Sequence, residues 1–379
     1  MRFSLILALV VTGTAVFAQT LVVTVKNPAG FARSHETIAL PIVNVSEALG
    51  KIDPARLRIC REGEENSLPA QVTGTEVLFQ SDFDARGTRR FVVSMSPGRE
   101  VPHASLVSGL YALPRQDYAW ENDRIAFRVY GPALAAEVNN GIDVWTKRVR
   151  YPIVAKWYKE AESSAPGKDS YHQDQGEGAD FFAVGRSLGA GALGLWQEGR
   201  VVQPGVFATW KTLANGPVRV GFALTYKWLV DGDSLAEEMV ISLDAGENLN
   251  RIEVRFSGPH AGKKLALACG LVKRANTLAT RSQKDCLLSL WGPTIEDPLT
   301  GELGTAVLFP SGGCAEYGED KDQHLIIGES RVGASFVYHA GAGWTGNGEF
   351  HTEKDWAAYL DRFALRERFP LEVTVARKQ

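Results

Sequence analysis

The sequence is poor in the residues that build metal sites. Its 379 residues include four cysteines and seven histidines. No two cysteines form a C-x-x-C pair, and no two histidines have H-x-H or H-x-x-x-H spacing. The ligand patterns of a structural zinc site and of a catalytic metal are therefore missing. We expect no metal and no cofactor.

The four cysteines are also too few to indicate a disulfide-rich framework. Cys269 and Cys286 could face each other across a hairpin and form a disulfide, which an exported protein allows. Alternatively, these two residues, Cys60 and Cys314 are buried thiols that act as small apolar side chains. The spacing of the cysteines does not choose between these two readings.

Long apolar runs and a strong net charge are absent as well. Beyond the N-terminus, no stretch approaches the roughly 18 uninterrupted apolar residues of a membrane span. The formal net charge is -3, and it becomes -4 if Arg2 is removed with a leader. A mildly acidic chain has no general attraction for nucleic acid or for an anionic membrane. We expect neither as a partner.

The N-terminus has the features of an export signal. Arg2 precedes an apolar run over residues 5–11, and Val16-Phe17-Ala18 suits cleavage before Gln19. The run is too short for a comfortable membrane span, although a retained N-terminal anchor is the alternative. We predict a signal peptide over residues 1–18 and a secreted or periplasmic protein.

Strand-like segments dominate the rest of the chain. Short β-rich runs joined by Gly, Asn and Asp turns predict a small N-terminal β-sandwich section over residues 19–100. Further strands follow over residues 101–379, with one clear helix at 352–367 that Thr352 can cap. Many strands with few helices predict a mainly β fold, a large antiparallel β-sandwich, for this second section.

Residues 170–196 combine ionisable side chains with a rigid support. Tyr171, His172 and Asp180 lie in the first part, and a glycine-punctuated apolar run follows from residue 185. Acid and base groups beside a well-packed backbone are what a binding or catalytic cleft needs. This segment is therefore the centre of the predicted site.

Several ordered blocks of the sequence resemble a family of secreted bacterial proteins known as domain of unknown function 4861. The resemblance covers residues 115–376, and the sequence differs from the family pattern around residues 173–177. The matching blocks are E-N-D-R-I-A-F-R-V-Y-G (121–131), I-D-V-W-T-K-R (142–148), Y-H (171–172), G-A-D (178–180), V-G-R-S-L-G-A-G (184–191) and G-A-G-W (341–344). The resemblance implies a galactose-mutarotase-like β-sandwich and an association with uronate-rich, pectin-like polysaccharides.

Members of that superfamily bind sugars, interconvert anomers or cleave uronates by β-elimination. The last two reactions need a proton acceptor and a proton donor on opposite sides of a sugar ring. β-Elimination also needs a cation that neutralises the uronate carboxylate. We predict Tyr171, His172, Lys147, Arg148 and His339 as the catalytic groups. The alternatives are a structural pair for Tyr171 and His172, a solvated charged edge for Lys147 and Arg148, and a buried strand histidine for His339.

Four further residues are predicted to bind substrate. Arg128 can grip a carboxylate through its two-pronged guanidinium. Trp145 and Trp344 offer flat apolar rings for the C–H face of a pyranose, although core tryptophans have the same pattern. Asp180 completes the set, with a turn-capping carboxylate as its alternative reading.

These observations support three functional hypotheses, each with a carbohydrate partner. The first is an enzyme that acts on uronate-containing saccharides by lyase-type acid/base chemistry. The second is a sugar mutarotase or epimerase of the same fold. The third is a carbohydrate-binding protein without catalytic activity.

Overall fold

The computed structural model describes residues 20–163, 171–230, 232–295, 297–310 and 313–378. The predicted signal peptide lies outside these ranges. None of the helices within them is long and apolar enough to cross a membrane.

The N-terminal section is a small β-sandwich with its own core. Valines and phenylalanines that alternate along the strands, such as Val23, Phe79 and Phe91, are completely buried between its sheets. One sheet has the order β2-β5-β4, and in the other β1 lies beside β6, which pairs with β3. The elements are β1 (Thr20–Lys26), β2 (Arg33–Pro41), α1 (Ile42–Leu49), β3 (Leu57–Arg61), β4 (Ala70–Val72), β5 (Glu76–Phe83) and β6 (Thr88–Met95).

The second section contains the remaining strands and two further helices. Its first part consists of β7 (Ser108–Ala112), β8 (Asp117–Glu121), β9 (Ile125–Val129), β10 (Ile142–Lys147), α2 (Val154–Ser163), β11 (Gly178–Ala179), β12 (Ala190–Gln197), β13 (Arg200–Val202) and β14 (Thr209–Asn215). Then follow β15 (Arg219–Val230), β16 (Asp233–Asp244), β17 (Leu249–Ser257), β18 (Lys264–Val272), β19 (Leu278–Ser282) and β20 (Leu287–Pro293). The chain ends with β21 (Glu302–Leu308), β22 (Cys314–Glu319), β23 (Gln323–Arg331), β24 (Ser335–Trp344), α3 (Glu353–Arg368) and β25 (Glu372–Lys378).

These strands form a large antiparallel β-sandwich, as the sequence predicted. One layer is an eight-stranded sheet with the order β14-β15-β16-β17-β24-β21-β20-β19. The other layer comprises two five-stranded sheets, β11-β10-β9-β8-β7 and β13-β12-β18-β23-β22, joined by a parallel bridge between Ile142 and Gly189. Trp120, Phe222 and Leu267 belong to the continuous core between the layers.

Helices cover the outer faces of both layers. Helix α2 packs Trp157 and Tyr158 against Ala119 and Ala126 on the outer face of the β7–β11 sheet. Helix α3 covers the outer face of the eight-stranded sheet, where a Cβ atom added to Gly304 would lie 2.6 Å from the Trp356 ring. Both faces of the β7–β11 sheet are therefore buried, and polar side chains on its outer face are buried with them.

The last strand of the chain returns to the N-terminal section. Strand β25 pairs antiparallel with β1, with Val375 opposite Val23. The sheet that contains β1 therefore has the order β25-β1-β6-β3 and unites the two ends of the described chain. The division of the chain into domains near residue 100 stays a prediction.

Three details of the sequence-based prediction can be compared with the structure. Helix α3 is confirmed, and its capping box links Thr352 and Asp355. Helices α1 and α2 were not predicted, although Val154, Trp157 and Tyr158 have helical spacing and are buried on one face of α2. The possible disulfide between Cys269 and Cys286 does not form: Cys286 pairs with Cys314, while Cys60 and Cys269 are buried thiols.

Candidate functional site

Arg128 lies buried on the outer face of the β7–β11 sheet, only 4% exposed. It stands directly across the ladder from Asp143 on β10. Facing residues on neighbouring strands project to the same side of a sheet, so the two side chains meet. The Nε and Nη2 atoms of Arg128 donate to Asp143 Oδ2 at 2.9 and 2.5 Å. The strand register thus fixes this ion pair.

Two more carboxylates surround the same guanidinium. Arg128 Nη2 lies 3.1 Å from Asp180 Oδ2, and Nη1 lies 3.8 Å from Asp117 Oδ2. All three aspartates are at most 5% exposed. We call Arg128, Asp117, Asp143 and Asp180 the Arg128 cluster. One cation faces three acids here, so the buried charges of the cluster do not balance if every carboxyl is ionised.

The protonation of the cluster follows from this imbalance. Burial raises the pKa of Asp180 well above its ordinary value, and the nearby Asp143 raises it further. Burial also raises the pKa of Asp117, although Arg128 opposes this shift. The pKa of Arg128 would fall through burial, but the carboxylates raise it overall. We therefore assign the ion pair to Arg128 and Asp143, and a proton to Asp180.

Aromatic rings enclose the cluster. The Trp145 ring stacks on Tyr171 at 4.5 Å between centroids, and the Arg128 guanidinium lies 4.9 Å from the Trp145 ring. Tyr171 accepts a hydrogen bond from Arg128 Nη1 at 3.3 Å, and Tyr158 donates one to Asp117 at 3.3 Å. The rings exclude water and hold the charged groups in fixed positions.

His172 connects the cluster to the surface. More than half of its side chain, 59%, is exposed. Its Nδ1 atom lies 3.4 Å from Asp180 Oδ2 and 3.3 Å from the Asp180 carbonyl oxygen. Partial burial lowers the pKa of His172 below its ordinary value. The imidazole is therefore neutral at neutral pH, and Asp180 anchors its inner side.

Two further arginines approach this region of the surface. The guanidinium of the exposed Arg115 lies 5.5 Å from the Tyr171 ring. The Arg148 side chain is 36% exposed, and its Nε donates to Asp174 Oδ2 at 2.6 Å. Arg148 also lies over the Trp344 ring at 4.7 Å. Arg115 therefore adds positive charge near His172, whereas the charge of Arg148 is paired with Asp174.

Lys147 does not belong to this surface. It is completely buried, and its Nζ donates to Glu121 Oε2 at 2.5 Å and to the Asn122 carbonyl at 2.6 Å. Glu121 in turn accepts two hydrogen bonds from the backbone N–H groups of Ile153 and Val154, at the start of α2. This pair ties helix α2 to the sheet. We therefore assign Lys147 a structural role in place of the predicted catalytic one.

His339 lies in the other layer of the sandwich. It belongs to β24, is 5% exposed, and its Nε2 lies 3.2 Å from Glu367 Oε2 of helix α3. It lines a cavity of about 350 Å³ between the N-terminal section and the eight-stranded sheet. Charged side chains of this cavity pair with one another, for example Arg366 with Glu247. The structure does not bring His339 to His172.

Trp145 and Trp344 are also unavailable as sugar platforms. Both are completely buried. Trp145 Nε1 donates to Asp143 Oδ2 at 3.1 Å, and Trp344 Nε1 donates to the Thr300 carbonyl at 2.7 Å. Neither ring exposes a face to solvent, so their observed contacts are those of core residues.

The structure adds residues that sequence analysis missed. Asp143 and Asp117 complete the Arg128 cluster, and Arg115 approaches it from the β7–β8 turn. Asp143 could have been found, because it lies two residues before Trp145 and shares its side of the strand. Asp117 had no such signal, since its approach to Arg128 depends on the position of β8 in the sheet.

Together these groups can hold a neutral imidazole at the protein surface beside positive charge. An exposed imidazole with a buried carboxyl partner can accept or donate a proton. The nearby guanidinium groups can attract an anionic ligand. The arrangement suits proton transfer on a polar, acidic ligand.

Comparison with known proteins agrees with the fold. A family model described as domain of unknown function (DUF4861) matches residues 25–373. A Formosa agariphila protein named "Uncharacterized protein P7" is 29% identical over 377 residues, 93% of each chain.

Two Enterococcus faecalis structures match 96% and 95% of the chain. One is a protein in glycosyl hydrolase family 38, with a TM-score of 0.50, and the other is an alpha-mannosidase, with a TM-score of 0.52. Each is 10% identical to the chain, so these likenesses establish the fold alone. The chain spans about half the length of these two proteins, 47% and 46%.

Proposed function

The chain belongs to the domain of unknown function 4861 family, and we propose that it is an exported carbohydrate-active protein with its site at His172. Its proposed ligand is a uronate-containing, pectin-like oligo- or polysaccharide. The proposed chemistry is β-elimination, with His172 as the group that transfers the proton.

The position of His172 carries this proposal. Its ring is largely exposed, yet its Nδ1 lies within 3.4 Å of the buried Asp180 carboxyl. With the Nδ1 proton donated to the Asp180 carbonyl oxygen, 3.3 Å away, the imidazole is oriented and its Nε2 is the unprotonated nitrogen that can accept a proton from a sugar at the surface. Two solved structures similar to this fold are a protein in glycosyl hydrolase family 38 and an alpha-mannosidase, and this likeness supports the proposal of a carbohydrate ligand.

Asp180 and Tyr171 act through His172 in this scheme. Burial raises the pKa of Tyr171 above its ordinary value, so the phenol is a poor base at neutral pH. The Tyr171 ring stacks on the Trp145 ring, and the Tyr171 hydroxyl accepts a hydrogen bond from Arg128. We therefore assign Tyr171 and Asp180 as positioning residues and His172 as the catalytic base.

The lowered pKa of His172 sets the pH dependence. In β-elimination the base removes the proton on C5 of the uronate, a C4=C5 double bond forms and the C4–O bond breaks. The leaving oxygen then takes up a proton from the imidazolium or from water. The imidazole must therefore be neutral at the start of the reaction. Activity is expected to be present at neutral pH and to be lost as the pH falls through a value below 6.5, the ordinary pKa of histidine. A rate that still rises steeply above that value would contradict this assignment.

The test is an incubation of the mature protein with a panel of uronate polysaccharides and their oligosaccharides. β-Elimination creates an unsaturated uronate, which ultraviolet absorbance detects. We expect this signal for at least one substrate, and a loss of about 100-fold or more in rate for His172→Gln. His103→Gln is the control, because His103 is exposed on the segment between the two sections.

Two outcomes would redirect the proposal. Sugar binding without any unsaturated product would exclude the lyase reaction and favour a mutarotase or a binding protein. A polarimetric assay of anomer interconversion would then separate these two. A variant His172→Gln with unchanged lyase activity would exclude His172 as the base.

A further inference from the structure

Arg274 is a partly buried cation whose Nη1 end is completely buried. It follows β18, and its Nε and Nη2 donate to the backbone carbonyls of Pro293 and Leu303 at 3.2 and 2.6 Å. A guanidinium has five N–H donors, so these two bonds leave the Nη1 end unused. Nη1 is buried and has no hydrogen-bond partner, and none of the described acidic side chains forms an ion pair with Arg274.

This arrangement costs free energy in the unliganded protein. Burying an ion without a partner is unfavourable, and burial lowers the pKa of Arg274 to about 10. The group is still charged at neutral pH. An anion that reached the Nη1 end would restore the missing ion pair and fill the open donor positions.

The surroundings of Arg274 provide room for such an anion. It lines a cavity of about 310 Å³ together with Asn276, Pro293, Thr294 and Ile295. This volume lies at the lower end of the range of small-molecule sites, about 300–1,000 Å³. The exposed side chain of Asn276 adds a neutral hydrogen-bonding group, which suits the hydroxyl groups of a sugar.

A short series of contacts links Arg274 to the proposed site. Its guanidinium lies 5.6 Å from the Phe182 ring. The backbone N–H of Phe182 donates to Asp180 Oδ1 at 3.3 Å, and the other oxygen of Asp180 faces His172. Arg274 and His172 therefore both contact the short segment of residues 180–182.

The other cations near this segment differ from Arg274. Arg128 is paired with Asp143, Lys147 with Glu121 and Arg148 with Asp174. Arg115 is exposed, so solvent can compensate its charge. Arg274 combines a buried Nη1 end without a hydrogen-bond partner, a second unused N–H on Nη2, and an adjacent cavity.

From these observations we propose that Arg274 binds a carboxylate group of a uronate residue through its Nη1 and Nη2 atoms. This assignment rests on the proposed function, because it takes the ligand to be a uronate saccharide. It adds a binding residue that discriminates acidic from neutral sugars. A guanidinium fork matches the two oxygens of a carboxylate, which a neutral hydroxymethyl group cannot replace.

Isothermal titration calorimetry with two probes tests the assignment. The first probe is tetragalacturonate, and the second is the same oligosaccharide with its carboxyl groups reduced to hydroxymethyl groups. We expect wild-type protein to prefer tetragalacturonate by about tenfold or more, as charge-assisted hydrogen bonds predict. Arg274→Gln should remove this preference and leave the affinity for the reduced probe unchanged. Arg255→Gln, on the outer face of the eight-stranded sheet, is the control.

The outcomes separate this inference from the proposed function. Wild-type protein that binds neither probe would count against the proposed function itself. Wild-type protein that binds both probes equally, or a preference lost in Arg115→Gln and kept in Arg274→Gln, would overturn the role of Arg274 alone. If Arg274→Gln does not fold, Arg274→Lys takes its place, because lysine keeps the charge and lacks the two-pronged donor. A weaker preference of this variant for tetragalacturonate supports the role of Arg274, and an unchanged preference contradicts it.

Discussion

At the scale of single residues, buried charge distinguishes this protein. Arg128 is surrounded by three carboxyl groups, whereas Arg274 has none among the described residues. Removing one partner of a buried ion pair typically costs about 3–5 kcal/mol, because the other charge stays behind. The two arginines therefore have different environments: Arg128 is held by ion pairs within the site, and Arg274 is the proposed carboxylate-binding residue.

A buried carboxyl in the main core shows the same principle. Glu237 on β16 is completely buried, and one of its oxygens accepts a hydrogen bond from Trp228 Nε1 at 2.7 Å. Its other oxygen is buried without a partner. Burial raises the pKa of Glu237 to about 8. The core therefore holds this carboxyl in its neutral form at neutral pH.

This raised pKa predicts a pH dependence of stability. The folded-state pKa of Glu237 exceeds its unfolded value near 4.5. Its contribution to the free energy of unfolding is therefore full below that pH and is lost as the pH rises through about 8. Glu237→Gln removes the ionisation. We expect the free energy of unfolding of the variant, relative to that of wild type, to rise by about a few kcal/mol between pH 5 and pH 8.

Urea denaturation at both pH values measures this effect. Glu238→Gln is the matched control, because Glu238 is the exposed neighbour on the same strand. An identical pH dependence for Glu237→Gln and wild type would show that Glu237 ionises normally in the folded protein.

At the scale of secondary-structure elements, the register of β9 and β10 builds the site. Arg128 and Asp143 face each other, and Ala126 faces Trp145 two residues further along, at the next pair on the same face of the sheet. Helix α2 then covers this face, anchored by Glu121 through the N–H groups of Ile153 and Val154. The burial that shifts the pKa values of the site is therefore produced by one helix lying on one sheet.

Helix α3 offers the clearest test at this scale. Thr352 accepts a hydrogen bond from the Asp355 backbone N–H, and the Asp355 side chain accepts one from the Thr352 backbone. Thr352→Ala breaks this capping box and should lower the free energy of unfolding by about 1 kcal/mol. Denaturation of Lys354→Ala, an exposed change in the same first turn, provides the comparison. Equal stability of the two variants would argue against the cap.

At the scale of the whole molecule, the two ends of the described part of the chain share one sheet. Strand β25 covers β1, so the last described residues complete the N-terminal section. Helix α3 leads directly into β25 and packs on the eight-stranded sheet. The small and the large sandwich are therefore linked by backbone hydrogen bonds as well as by the chain that runs between them.

This link predicts the effect of a C-terminal truncation. Deleting residues 372–379 leaves β1 as an edge strand that is paired only with β6, and it exposes the side of the small core near Leu21 and Leu371. We expect the thermal unfolding temperature of the N-terminal section to fall by several degrees. Circular dichroism melting, with Thr374→Ala as a control that keeps the backbone pairing, measures the change. Unaltered melting of the truncated protein would show that β25 adds no stability.

The sequence by itself determined the class of fold and the helix α3. Alternating apolar residues and closely spaced turns are local signals, and so is a capping threonine before a helical stripe. The segment with Tyr171, His172 and Asp180 was also recognisable, because its ionisable residues cluster along the chain. Arg128 and Asp180 proved to be neighbours, although they are far apart in sequence.

Only the tertiary structure decided which of the predicted groups meet and which are buried. Lys147 and Arg148 are adjacent in sequence, yet one is sealed under α2 and the other reaches the surface. His339 lies in the opposite layer, and Cys286 pairs with Cys314. Arg274 carried no signal in the sequence, since the lack of a counter-ion among the described residues is a property of its surroundings. Burial and partnership depend on long-range packing, and those contacts set the charge state of each group.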